Sequence, residues 1–126
     1  MKLILLVFIA ACIAPCQDTA ALACNLKVFQ PDERRQHQKL THEIMATVVA
    51  GRELAQGYEF QIDTARVSLI EVAEWVGREK KCCPFFDFQI TLDGGPEGKV
   101  RLALTGRAGV KQFVVEEFRA LLPVTI

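Results

Sequence analysis

The sequence predicts a small α+β domain: a two-layer sandwich with a small, mostly antiparallel sheet and helices on one face, in the order (β)αβαββα. Three observations carry this. Two stretches alternate apolar and polar residues, Tyr58, Phe60 and Ile62 around Glu59 and Gln61, and Phe86, Phe88, Ile90 and Leu92 around Asp87, Gln89 and Thr91. Other stretches repeat apolar residues at helical spacing, so each has one stripe to bury against a sheet. The chain has 126 residues, 51% of them hydrophobic, which is enough for one domain with one core.

Residues 1–23 read as a leader and 24–126 as the single domain. Lys2 gives a basic start, Leu3 to Ala14 an apolar run, and Pro15 breaks it. Ala21-Leu22-Ala23 supplies the small-x-small pattern of a cleavage site, so the mature chain is expected to begin at Cys24. Ile9-Ala10-Ala11-Cys12 competes as a lipoprotein box with Cys12 lipidated, and an uncleaved anchor is a third reading. The run is shorter than the roughly 20 residues of a spanning helix. Export to a periplasmic or extracellular space is therefore expected, with membrane contact only through an uncleaved leader or a lipidated Cys12.

A short strand is expected from Asn25 to Phe29. Pro31 then suits a first helical position, with Asp32 and Glu33 in the first turn. Leu40, Ile44, Met45 and Val48 keep helical spacing, and Gly51 is a stop, so the first helix is expected over 31–50. The Tyr58–Ile62 alternation is a half-buried strand, and a second helix runs from about Val67 to Cys82. The strand from Phe86 to Leu92 meets a DGGPEG turn at 93–98, and Val100, Leu102 and Leu104 return as its hairpin partner. Gly106 and Gly109 flank the start of a last helix that carries Val110, Phe113, Val114, Phe118 and Leu121.

Charge excludes some functions. Fifteen basic residues balance fifteen acidic ones, which speaks against a nucleic-acid partner and against a polybasic membrane surface. No Ser-His-Asp pattern, phosphate loop or H-E-x-x-H motif is present, and no catalytic residue is assigned.

The chemistry concentrates at KKCCPFFDF (80–88). Removal of 1–23 takes away Cys12 and Cys16 and leaves Cys24, Cys82 and Cys83, an odd number. Stepping about 100° per residue along the second helix puts Leu69, Val72, Ala73, Val76 and Cys83 on the core side, and Cys82 on the flank beside Trp75. Pro84 should end the helix near Cys83. Neighbouring alpha carbons lie about 3.8 Å apart, against about 4.4–6.8 Å for ordinary disulfides, so a Cys82–Cys83 bond is disfavoured. A disulfide from Cys24 to either cysteine would staple two elements and leave one thiol over.

A redox thiol usually sits at a helix amino end, where the dipole lowers its pKa. These cysteines sit at a carboxyl end, offset only in part by Lys80 and Lys81. Soft-ion binding needs less, because the ion replaces the thiol proton. Two or three thiolates from Cys82, Cys83 and Cys24 suit a soft metal ion or a metalloid. Zinc wants a fourth ligand, and the only histidines, His37 and His42, fall on different faces of their helix. Trp75, Pro84, Phe85 and Phe86 are expected as structural residues or site wall. Buried cysteines acting as small hydrophobes are the plain alternative. Glu59 and Asp87 read as solvated strand residues, and the glycines of 105–109 as a helix start.

The segments ACNL (23–26), EWVGREKKCCPFFDFQI (74–90) and LTGRAGVKQF (104–113) resemble a small uncharacterised bacterial family. Its members share an early cysteine, a CCPF element after a helix and a closing LTG-x-x-GVK motif. The resemblance covers most of 23–120 and implies, for some members, a metal-resistance setting. It brings no catalytic assignment.

Three functions follow as expectations. The first is an exported thiol-bearing binding protein for a soft metal or metalloid. The second is a thiol redox protein or sensor in which Cys82 reacts and Cys24 resolves. The third is a non-enzymatic interaction module with a structural disulfide. The balance leans away from an enzyme.

Overall fold

The computed structural model describes residues 22–96 and 98–126. The apolar run, Cys12, Cys16 and the lipoprotein box lie outside the described residues. The fold is the expected α+β two-layer sandwich. Its elements are α1 (Pro31–Met45), β1 (Val48–Leu54), β2 (Gly57–Ile62), α2 (Leu69–Cys82), β3 (Phe86–Leu92), β4 (Val100–Gly106) and α3 (Val110–Phe118). The four strands form one antiparallel sheet in the order β1-β2-β4-β3.

Register explains the two layers. Tyr58, Leu104 and Phe88 lie in one cross-strand row, and Phe60, Leu102 and Ile90 in the next. Each row points its apolar side chains to the same face, and α2 and α3 pack against that face. The alternate rows carry Glu59, Gln61 and Arg101 to the other face. There Glu59 pairs with Arg52 at 2.9 Å and Arg101 at 3.3 Å, which holds its carboxyl below the usual range. Asp87 is exposed in β3 opposite Thr105, away from Glu59, so the two carboxylates form no pair.

Helix starts follow their capping residues. Gln30 donates its backbone N–H to Glu33 Oε2 at 2.9 Å ahead of Pro31. Ser68 and Glu71 make a reciprocal capping box, which starts α2 at Leu69 rather than Val67. Gly109, at φ 95°, opens α3 in a left-handed conformation that suits glycine.

Two elements differ from expectation. Residues 25–29 are not a strand: Leu26–Val28 form a 3-10 turn capped by the Asn25 side chain. The first helix stops at Met45, and the residues expected as its last turn begin β1. Val48 is in phase with Ile44, so the helical period runs on in the sequence. The β-branched run Thr47-Val48-Val49 favours the sheet instead, where β1 pairs with β2 through the short Ala55-Gln56 connection.

Candidate metal and thiol centre

Three elements converge at the carboxyl end of α2. The inward stripe of that helix is Val72, Trp75, Glu79 and Cys82. This is rotated from the expected stripe: Leu69 is 39% exposed and Ala73 is exposed, while Trp75 is fully buried. The rotation brings Cys82 inward, so both cysteines are buried instead of one lying on a flank. Pro84 ends the helix as expected, and Cys83 takes a non-helical conformation at φ −124°, ψ 66°. The second element is the segment before α1, which the Asn25 amide pins to the Cys82 carbonyl at 2.8 Å. The third is α1, which presents His37.

Cys24 and Cys83 form a disulfide with alpha carbons 4.5 Å apart. Cys82 is the free cysteine among the described residues. Its Sγ lies 3.5 Å from Cys83 Sγ, 3.7 Å from His37 Nε2 and 3.8 Å from Glu79 Oε2. The vicinal pair is unbonded. Glu79 is the hub of the cluster. Its Oε2 is 2.8 Å from His37 Nε2, and its Oε1 is 3.2 Å from Cys83 Sγ. A disulfide sulfur carries no hydrogen, so that second approach is a contact. Reduction would turn it into a thiol donating to a carboxylate. Since the carboxylate accepts, His37 Nε2 carries the proton of the first pair. His37 Nδ1 is buried and has no partner among the described residues.

One donor atom each from Cys24, Glu79, Cys82 and Cys83 lies within 4.8 Å of the others. With the Cys24–Cys83 bond reduced, these four residues would offer donor atoms close enough for one metal ion. With His37 the cluster forms one side of a half-open cavity of about 180 Å³. Leu26, Phe113, Phe118 and Leu121 make the apolar side.

Electrostatics separates the two thiol chemistries. Burial, then the Glu79 carboxylate, push the Cys82 thiol up to about 12 from an ordinary 9.0. Little thiolate exists near neutrality, so attack on the adjacent disulfide is slow. A metal ion relieves both causes, since it replaces the proton and carries positive charge toward the carboxylate.

The remaining expected site residues support the centre from behind. Trp75 sits in the core, edge-on to Phe88 and Phe118, and its Nε1–H donates to Thr41 Oγ1 at 2.8 Å. Thr41 in turn donates to the His37 carbonyl at 2.9 Å, which ties α2 to the turn of α1 that holds the imidazole. Phe85 and Phe86 pack on Phe113, itself part of the cavity wall, while Pro84 is exposed. Lys80 is committed to the carbonyls of Pro84 and Phe86, at 3.0 and 2.7 Å, and closes the turn that follows the cysteines.

Glu79 escaped sequence reasoning, and His37 was weighed there only as a zinc ligand and set aside. His37 stands seven residues before Ile44, two helical turns along the same stripe, and Glu79 stands one turn after Trp75. A charged residue at an inward position is the available signal, because burial demands a partner. His42 is exposed. No helix among the described residues is long and apolar enough to cross a membrane. No family model, curated protein or solved structure matches the chain.

Proposed function

We propose that this is a small exported binding protein for a soft metal ion or metalloid, with Cys24, Cys82 and Cys83 as ligands and the Cys24–Cys83 disulfide as its locked form. One observation carries the reading: three sulfurs meet in one cluster at a cavity, two of them on fully buried cysteines. Unlocking is a two-electron reduction by an external dithiol, which becomes a disulfide while Cys24 and Cys83 become thiols. A trivalent metalloid hydroxide then binds by exchange, three thiols giving three sulfur–metalloid bonds and three waters. That product is neutral, which suits a site already holding a buried carboxylate. Export rests on the leader-like residues 1–23 and on the tendency of disulfides to persist in oxidising compartments.

The test is native mass spectrometry of the folded, reduced protein with one equivalent of arsenite or mercury(II). One ion per chain is expected, and for arsenite, which needs three thiols, uptake is lost in the double variant Cys82→Ser/Cys83→Ser and in the oxidised protein. Failure of the reduced, folded wild type to take up either ion would refute the reading.

The 3.5 Å approach of Cys82 Sγ to Cys83 Sγ supports a second reading, a thiol exchange protein. It predicts one thiol alkylated rapidly at neutral pH, against the direction of the Cys82 shift.

A further inference from the structure

The locked form keeps a second donor set. We infer that Cys82, His37 and Glu79 form a three-ligand site for a borderline divalent cation such as zinc or cobalt(II) while the Cys24–Cys83 disulfide is intact. Closing the disulfide then takes away the three-thiolate mode for a soft metalloid and leaves the borderline divalent site in place. This deepens the metal-binding reading and rests on it.

The geometry fits. Zinc-type bonds of about 2.3 Å to sulfur and 2.0–2.2 Å to nitrogen and oxygen, at tetrahedral angles, separate donors by roughly 3.3–3.6 Å. The observed separations are 3.7 Å for Cys82 Sγ to His37 Nε2, 3.8 Å for Cys82 Sγ to Glu79 Oε2 and 2.8 Å for His37 Nε2 to Glu79 Oε2. The two sulfur edges are already near their final lengths. The short edge is spanned by a proton, and the ion takes the place of that proton.

Charge fits as well. The divalent ion displaces the Cys82 proton to solvent, and the proton on His37 Nε2 moves to Nδ1, the buried atom that has no partner among the described residues. One thiolate, one carboxylate and one divalent cation sum to zero in a buried site. The oxidised sulfurs of Cys24 and Cys83 add no charge. Cys82 closes α2 and Glu79 lies in its last turn, where the helix dipole favours a cation. All three ligands line the cavity, whose volume of about 180 Å³ has room for a water as fourth ligand.

The test titrates cobalt(II) into the folded, oxidised protein, with the disulfide verified by intact mass. A thiolate-to-cobalt charge-transfer band and intense visible bands of four-coordinate cobalt(II) are expected at one equivalent. Cys82→Ser should abolish the charge-transfer band. His37→Gln should weaken binding at least about tenfold, since even outer-shell partners are worth roughly 10- to 100-fold. Because His37 is buried, Cys24→Ser/Cys83→Ser gives a second route: it removes the disulfide, leaves the three donors, and should still give the cobalt spectrum. Cobalt(II) bound only after reduction of the wild type, or a spectrum without sulfur ligation, would overturn the inference. Arsenite uptake by the reduced protein reads the three-sulfur set, which shares only Cys82 with this one and needs the open disulfide, so the two readings fail separately.

Discussion

Replacing Cys24 with alanine removes the cross-link between residues 59 apart in sequence and gives the unfolded chain back its loop freedom. In the chain-entropy account, closing a 59-residue loop lowers unfolded-state entropy by about 14 cal/mol/K, or about 4 kcal/mol at 25 °C. That is about a thousandfold in the folding equilibrium. The packing of the sulfur itself matters little by comparison, because Cys24 is only half-buried and the Asn25-to-Cys82 hydrogen bond remains. Urea unfolding of the oxidised wild type and of Cys24→Ala, the latter kept under reductant, should therefore differ by about 4 kcal/mol. Reduced wild type should match the variant. Hydrogen exchange at the Asn25 amide should accelerate in both, since the segment before α1 is then held by the 3-10 turn and the Arg34 hydrogen bond to the Leu26 carbonyl at 3.1 Å. A difference below about 1 kcal/mol would refute the entropic argument for this staple.

Raising the Cys82 pKa means the folded protein holds a proton that the unfolded chain releases, so stability is full below pH 9 and falls between pH 9 and about 12. The Cys82 contribution to the slope, up to about 1.4 kcal/mol per pH unit, should be missing from Cys82→Ala when thermal unfolding of the two proteins is compared across that range. Thr41→Val strands the buried Trp75 indole N–H, and denaturant unfolding should show a loss of about 1–3 kcal/mol. Gly57 lies against the Leu104 backbone in β4, where a methyl group would overlap the carbonyl; Gly57→Ala should abolish soluble expression or lower the melting temperature sharply, whereas Gly77→Ala, in open space on α2, should not.

The β3–β4 hairpin was legible because strict alternation has one structural meaning. Phe86 to Leu92 and its partner at Val100 kept their expected places and pairing. The first hairpin was not, because Ala55-Gln56 carries no Asn-Gly or Asp-Gly signal and Val48 sits in helical phase with the residues before it. The cysteines were legible as a cluster: a Cys24 disulfide to Cys82 or Cys83 was one alternative beside three thiol ligands, and Cys83 is the partner. The orientation of α2 was misjudged because Leu69 and Val76 suggested a stripe that the larger Trp75 overrides. That rotation concealed Glu79, and with it the reason for His37. Sequence periodicity ranks apolar residues. It says little about a carboxylate and an imidazole that tolerate burial only because each holds the other.

The gap between the paired cysteines is also an interval of time. At roughly 5–20 residues per second, Cys24 is added to the chain about 3–12 s before Cys83. During that interval the other thiols on the nascent chain are Cys12 and Cys16. The native pairing is thus the last to become available, and while residues 1–23 remain attached Cys12 and Cys16 compete for Cys24 under oxidant. Refolding from the fully reduced chain, with α2 formed before oxidant is added, brings Cys83 to Cys24 before that competition begins.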